Sequence, residues 1–364
     1  MKHGRLSAGG KSGSPAHQSG FVVSVWSRIR GGLLALLLAI TLLGGGVAGA
    51  LAQTTPVATT AGTPNGEPLP IAAAVAWLQS QQDAGGGFPG LDGNPDPGIT
   101  VDAILALVAS PGYDEAAVQK ALAYLDGNAK PYIETGAGQA AKVVLAMAAT
   151  GGDPTSVNGV NPVDLMESGI NPDTGLCGSG VFDQAYCVLA RVAIGKDAPV
   201  EWIDALRKTQ SSNGGWAFDG STDEAAADSN TTALVIEALV AAGVPATDDA
   251  IVNGIAFLKT LVVSTGGFAY GAVSVDPSAT PVADAAPALI ADANSTGVVI
   301  QGLTAAGVDL TAPEWGDPIA ALSAFQNASG AFRYMDSMPD DNLFATVQAM
   351  PALAGITFPI IAGA

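Results

Sequence analysis

The chain has 364 residues, 48% of them hydrophobic and 13% charged, with 46 glycines, 23 prolines and a formal charge of −19. An acidic balance with no basic cluster repels phosphate backbones, so nucleic acid is excluded as a partner. Both histidines, His3 and His17, stand in the first 17 residues. A chain processed beyond that point has no histidine-ligated zinc, no Ser-His-Asp catalysis and no imidazole proton shuttle.

Residues 1–52 carry Lys2, Arg5, Lys11, Arg28 and Arg30 and no acid, followed by the apolar run 33–43 and the small residues Ala50 and Ala52 around Leu51. This is the pattern of a secretory signal peptide cleaved before Gln53; an uncleaved amino-terminal anchor is the alternative, although 11 apolar residues are short against the roughly 20 that span a bilayer. Either way the body is expected to be secreted or held at the cell surface, with membrane contact only through that segment. Without it, nine basic residues face 33 acidic ones, a net charge near −24. Residues 53–69 are rich in Thr, Pro and Gly and read as a linker.

From residue 70 onward a repeat emerges. The spacing Leu206-x3-Gln210-x3-Gly214-x-Trp216 recurs as Leu78-x3-Gln82-x3-Gly86-x-Phe88 and Leu322-x3-Gln326-x3-Gly330-x-Phe332, and Leu258-x3-Val262-x3-Gly266-x-Phe268 keeps it without the glutamine. Asp228-x-Asn230 stands fifteen residues before Gly243, as Asp292-x-Asn294 does before Gly307 and Asp340-x-Asn342 before Gly355. Fixed offsets of this kind mark an internal repeat of about six helical hairpins. The unit at about 115–151 rests on helix periodicity and Gly151, and the one at about 162–195 has Gly175-Leu176-Cys177 where the aromatic would stand; both are worn. In the first repeat the second helix is placed from Asp102. The second helices, such as 231–242, are apolar almost all round and must be buried on every side, whereas the first helices have one apolar stripe. Apolar helices inside and amphipathic helices outside predict an all-α, two-layered ring or arc.

The turn spacing resembles the QW repeat of squalene and hopene cyclases, shared more loosely by protein prenyltransferase beta subunits and by the alpha domain of cobalamin-transport proteins. The resemblance covers about 70–355 and implies an α/α toroid, an inner barrel of six helices within an outer one; it does not by itself imply cyclisation. Several groups of that superfamily's chemistry are missing. No Asp-x-Asp-Asp acid occurs, since neither Asp248-Asp249 nor Asp340-Asp341 has an aspartate two places upstream. The Asp-Asp-x-x-Asp diphosphate site is absent, and Asp183 stands where the zinc-binding histidine of the prenyltransferases would align.

The residues left as candidates are few. Asp228, Asp292 and Asp340, with Asn230, Asn294 and Asn342, precede apolar helices. They either cap those helices or gather at one rim of the cavity, where Asp228 and Asp340 would be the acids of an unrecognised cyclase. Asp92-x-Asn94-x-Asp96 and Asp219-x-Ser221-x-Asp223 alternate oxygen ligands as a Ca²⁺ loop does, and equally as solvated turns do. Arg191, Glu237 and Gln301 are polar groups inside apolar helices; Arg191 and Glu237 either pair across adjacent repeats or, with Gln301 and Asp292, face the funnel as ligand contacts. Cys177 and Cys187, the only cysteines, are expected to form a disulfide in an oxidising compartment.

The favoured expectation is an exported, non-catalytic module without a cofactor that holds a small molecule in its funnel or a protein at its rim. A divergent terpene cyclase-like enzyme is the alternative, opposed by an aromatic content of 6%, thin for a cavity that must stabilise carbocations. A cobalamin carrier is a third reading, opposed by the lack of a segment for those carriers' second domain.

Overall fold

The computed structural model describes residues 71–271 and 289–362. The signal segment, the linker and most of the Pro- and Ala-rich insertion of the fifth repeat lie outside the described residues. Thirteen helices are seen among those described, with two antiparallel ladders of two residues per strand. No described helix is long and apolar enough to cross a membrane.

Six helices form the inner layer: α2 (Pro97–Ala109), α5 (Ala137–Thr150), α7 (Val181–Ala193), α9 (Ser229–Ala241), α11 (Ala293–Ala305) and α13 (Leu343–Leu353). Each packs on the next, and α13 returns to pack on α2, so the ring closes through the worn repeats as well. The outer layer is α1 (Ile71–Ser80), α3 (Glu115–Asn128) with the short α4 (Lys130–Ile133), α6 (Pro162–Ser168), α8 (Val200–Lys208), α10 (Asp249–Lys259) and α12 (Pro318–Ser323). Outer helices lie on the inner helix that precedes them, and α1, which has none before it, lies on α13. The first and last repeats are thereby clasped together.

The repeated turn is what joins one repeat to the next. Gly86, Gly214, Gly266 and Gly330 have φ between +88° and +99°, a region in which a side chain is strained. A Cβ on them would also fall 2.2–2.4 Å from a backbone oxygen of the following outer segment. The glutamine amide spans the same contact: Gln82 Nε2 donates to Gly86 O and Ala117 O, and Gln210 Nε2 to Gly214 O and Ala250 O, all within 2.9 Å. The aromatics Phe88, Trp216, Phe268 and Phe332 are fully buried beneath the turns. Their amides donate to Thr100, Thr232, Thr296 and Thr346, each four residues after the cap of the next inner helix.

In the worn third repeat the work is redistributed. Gln184, in the first turn of α7, accepts the Cys177 amide and donates to Trp202 O of α8 at 3.1 Å, so a helix residue makes the bridge that a turn glutamine makes elsewhere. Cys177 and Cys187 are joined and wholly buried, pinning the turn to α7 where an aromatic would have packed. A cross-link closing a loop of this length contributes on the order of 2–3 kcal/mol. We expect the Cys177→Ala/Cys187→Ala chain to unfold in urea with its stability lowered by about that amount; equal midpoints for the two chains would show the bond to be energetically idle.

The structure corrects two boundaries. Helix α2 begins at Pro97, so Asp102 lies inside it rather than at its start. In the last repeat the cap is Asn342, whose Oδ1 accepts the Ala345 amide, and Asp340 is exposed two residues upstream. The fifteen-residue offset to Gly355 is coincidental there, because α13 is two residues shorter than α9 and α11. Asp96 caps α2 through Ile99 N and so belongs to the capping series.

Candidate functional site

The faces that line the ring follow from close contacts. On α11, a Cβ on Gly297 would meet Gln348 O of α13 at 2.7 Å, and one on Gly302 would meet Ala233 O of α9 at 2.6 Å, so these glycines mark the two flanks. Thr296, Val299, Ile300 and Leu303 are buried on the side toward the outer layer. The opposite side, between the flanks, carries Asn294, Val298, Gln301 and Ala305 at helical spacing.

Applied to all six inner helices, that register stacks side chains in layers. Nearest the helix amino-termini, α7, α9, α11 and α13 contribute Phe182, Asn230, Asn294 and Phe344. The next layer is Asp102, Lys142, Tyr186, Leu234, Val298 and Gln348, one from each helix. Below it stand Leu105, Leu145, Leu189, Glu237, Gln301 and Pro351, all buried. The last layer is alanine at five of six places, Ala109, Ala149, Ala193, Ala241 and Ala305.

The segment after α13 lies against this end of α5 and α9. After α13 the tail donates Phe358 N–H to Glu237 Oε1 at 2.6 Å and Ala362 N–H to Ala148 O at 3.2 Å, with Phe358 and Ile360 packed against the core. The tail thus covers the carboxy-terminal ends of α5 and α9. The middle layer remains partly open: the Asp102 and Lys142 side chains are 15% and 18% exposed.

Asp102 and Lys142 form an ion pair of 2.5 Å across α2 and α5, and Lys142 Nζ lies 5.6 Å from the centre of the Tyr186 ring. Burial alone would lower the lysine's pKa, but Asp102, with Tyr132 and Tyr186, raises it above the usual lysine range. Lys142 is therefore a cation at neutral pH. Burial pushes the Tyr132 phenol up to about 12 and Tyr186 higher still, so both remain protonated donors. Phe182 adds an aromatic wall, 5.2 Å from Tyr186 edge-on and 5.2 Å from Phe218.

The amino-terminal end of the inner layer carries aromatics that an overall content of 6% does not reveal. Phe218, Tyr270 and Tyr334 each follow a turn aromatic by two residues, and their carbonyls accept an amide from the first turn of the preceding inner helix. Tyr270 hydrogen-bonds Asp228, and Tyr334 lies beside Asp292.

The residues singled out from the sequence are scattered by comparison. Asp228 and Asp292 are buried caps: one oxygen of each accepts an amide, from Thr231 or Ser295, and the other accepts that residue's hydroxyl. Burial raises Asp228 to about 7 and Asp292 to about 6 against those hydrogen bonds. Arg191 neither pairs with Glu237 nor reaches the funnel. It points outward, with Nη1 at 2.6 Å from Glu167 of α6, Nε donating to Asp197 O, and the guanidinium over Trp202. Its register, two residues beyond the lining position of Leu189, turns it away from the axis.

Glu237 and Gln301 do occupy lining positions on neighbouring helices. Burial raises Glu237 to about 8, and Gln301 Oε1 has no partner among the described residues. In the two acidic loops the oxygens serve their own turns: Asp92 accepts Asn94 N and Nδ2, Asp219 accepts Ser221 N, Ser221 Oγ accepts Asp223 N, and Asp223 accepts Ala225 N. Among the described residues no three His, Cys, Asp or Glu side chains gather as metal ligands. Asp183 accepts Ser179 N and Oγ and packs over Gly138, fixing the start of α7.

Asp102, Lys142, Tyr186 and Gln348 were not selected from the sequence, although a signal existed. A polar residue five places into an apolar inner helix is the same oddity as Glu237, and Lys142 within AGQAAKVVLAMAAT displays it.

This fold is the α/α toroid. The sequence matches no family model and no curated protein. Solved structures do share the architecture. A type II terpene cyclase, MstE from Scytonema, superposes with a TM-score of 0.54 at 19% identity, over 78% of this chain and 96% of that one. An unsaturated glucuronyl hydrolase specific for heparin gives 0.53 at 13% identity, over 78% and 95%. Haptocorrin in complex with Cbi gives 0.50 at 14% identity, over 80% of this chain and 67% of its own. At these identities the likeness extends to the fold.

Proposed function

We propose that this protein is an exported binding module that holds a small molecule in the toroid's funnel, entered from the amino-terminal mouth of the inner helices, and that it performs no chemistry on it. The observation that carries the reading is the middle layer, where the partly exposed Asp102 and Lys142 side chains stand beside Tyr186 above a layer of buried residues. The carboxyls nearest the mouth support it too. Asp228 and Asp292 spend both oxygens on the first turns of their own helices, which is the work of a cap. Export accords with the basic and apolar segment at 1–52 and with the buried disulfide. The reading includes no metal, in keeping with loops whose oxygens mostly serve their own turns.

The test is to fill the funnel. Val298 lines the middle layer without a hydrogen-bonding duty, so Val298→Trp should leave the fold intact and abolish uptake of an uncharged fluorescent probe such as Nile red. Undiminished uptake by that variant would place binding elsewhere and refute the funnel.

A divergent cyclase is the second reading, and one observation favours it: the mouth concentrates aromatic faces around Asp228, a carboxyl that burial holds near 7 and that Tyr270 contacts. Haptocorrin is a cobalamin-transport toroid bound to a ligand, and it keeps a corrinoid carrier in view as a third.

A further inference from the structure

We infer that the funnel's ligand is an uncharged, polyhydroxylated ring of the sugar or cyclitol class, seated against Tyr186 and held by Asp102, Lys142 and Gln348. This rests on the binding role proposed above and narrows it to a chemistry.

The ion pair sets the first constraint. Asp102 and Lys142 present opposite charges 2.5 Å apart at one level of the wall. A carboxylate drawn to the lysine meets the aspartate, and an ammonium drawn to the aspartate meets the lysine, so either charge on a ligand is penalised. A neutral ligand is not.

The hydrogen-bonding inventory sets the second. Lys142 has three N–H donors and gives one to Asp102. The Gln348 amide, which both donates and accepts, makes no side-chain hydrogen bond with the described residues. Asn294 Oδ1, one turn nearer the mouth than Val298, and Gln301 Oε1, one turn deeper, are buried acceptors without partners among the described residues. Gln301 is 4% exposed, and an unpaired acceptor so buried is costly unless a donor arrives. Donors and acceptors intermixed around one space match hydroxyl groups, which are both, better than any group that is only one.

The third constraint is shape. The opposite wall is Leu234 and Val298, and on the near side Phe182 and the Tyr186 ring, with Lys142 over it, add aromatic edges. A saturated ring with hydroxyls at its rim and C–H groups on its faces satisfies the apolar and polar walls together.

The experiment is isothermal titration of the purified chain with cellobiose and myo-inositol, beside glucuronate and glucosamine as charged counterparts. The uncharged probes are expected to bind at least about tenfold more tightly than the charged ones, a factor worth about 1.4 kcal/mol. The Asp102→Leu/Lys142→Leu chain should lose that binding with an unchanged or higher melting temperature, since removing both partners of a buried pair leaves no orphaned charge. A purely structural pair would instead spare binding, whatever the change in melting temperature. Equal affinity for charged and uncharged probes, or sugar binding that survives the double substitution, overturns the inference. If Nile red uptake remains sensitive to Val298→Trp in that case, only the ligand class has failed; if it does not, the funnel reading has failed with it.

Discussion

Replacing Gly330 with alanine is expected to abolish the closed ring. The residue sits at φ +99°, and a Cβ there would lie 2.3 Å from Ala73 O and 2.6 Å from Ala73 C of α1, the contact that clasps the last repeat to the first. Both atoms are backbone within a helix that also packs on α13, so neither can yield without moving the helix. The cost is on the order of 4 kcal/mol or more, the range reserved for backbone strain combined with overpacking. Gly307→Ala is the control. It has φ +71° with nothing within 4 Å of its would-be Cβ, so only the left-handed backbone is penalised, by about 1–2 kcal/mol. Urea unfolding of the two variants measures the difference; equal losses would mean that the turn glycine is needed for its φ alone and not for inter-repeat contact.

The second large effect concerns pH. Glu237 is 2% exposed, and burial raises it from 4.5 to about 8. An acid whose folded-state pKa exceeds its unfolded one binds its proton more tightly when folded. Its favourable contribution is therefore fully present below 4.5 and declines as pH rises toward 8. Asp228 and Asp292, raised to about 7 and about 6, act in the same direction. Stability should be greatest at mildly acidic pH and fall through neutrality, a trend that the net negative charge reinforces. Glu237→Gln keeps an oxygen for the Phe358 amide and cannot ionise. It should match the parent chain near pH 4.5 and exceed it at pH 8 by up to about 4 kcal/mol. A stability difference that does not vary with pH would show that Glu237 keeps its ordinary titration in the folded chain.

What the sequence disclosed was the chemistry that recurs at fixed offsets. Turn glycines, bridging glutamines, buried aromatics and the caps Asp228 and Asp292 are local requirements repeated several times, and each repetition makes the others legible. The last cap was misplaced because α13 lost two residues while an aspartate happened to stand at the expected distance. Gln184 replacing a turn glutamine could not be seen, since its two partners stand 7 and 18 residues away in directions that no periodicity encodes. The same holds for the tail, whose contact with Glu237 spans 121 residues. Asp102 and Lys142 were within reach. Placing the start of α2 at Asp102 turns a lining residue into a terminal one, and Lys142 stands in a worn repeat without the turn spacing that would mark its register. Arg191 misleads for the opposite reason: it is polar inside an apolar helix, but its register turns it outward, toward Glu167.

The central claim is that the scaffold binds without converting what it binds, and incubation with squalene and with geranylgeranyl diphosphate tests it most directly. Extraction and product analysis are expected to return both compounds unchanged, since the buried aspartates at the mouth are committed to helix amides and hydroxyls. A cyclised product formed by the parent chain and missing with Asp228→Asn would contradict the account and identify Asp228 as a working acid.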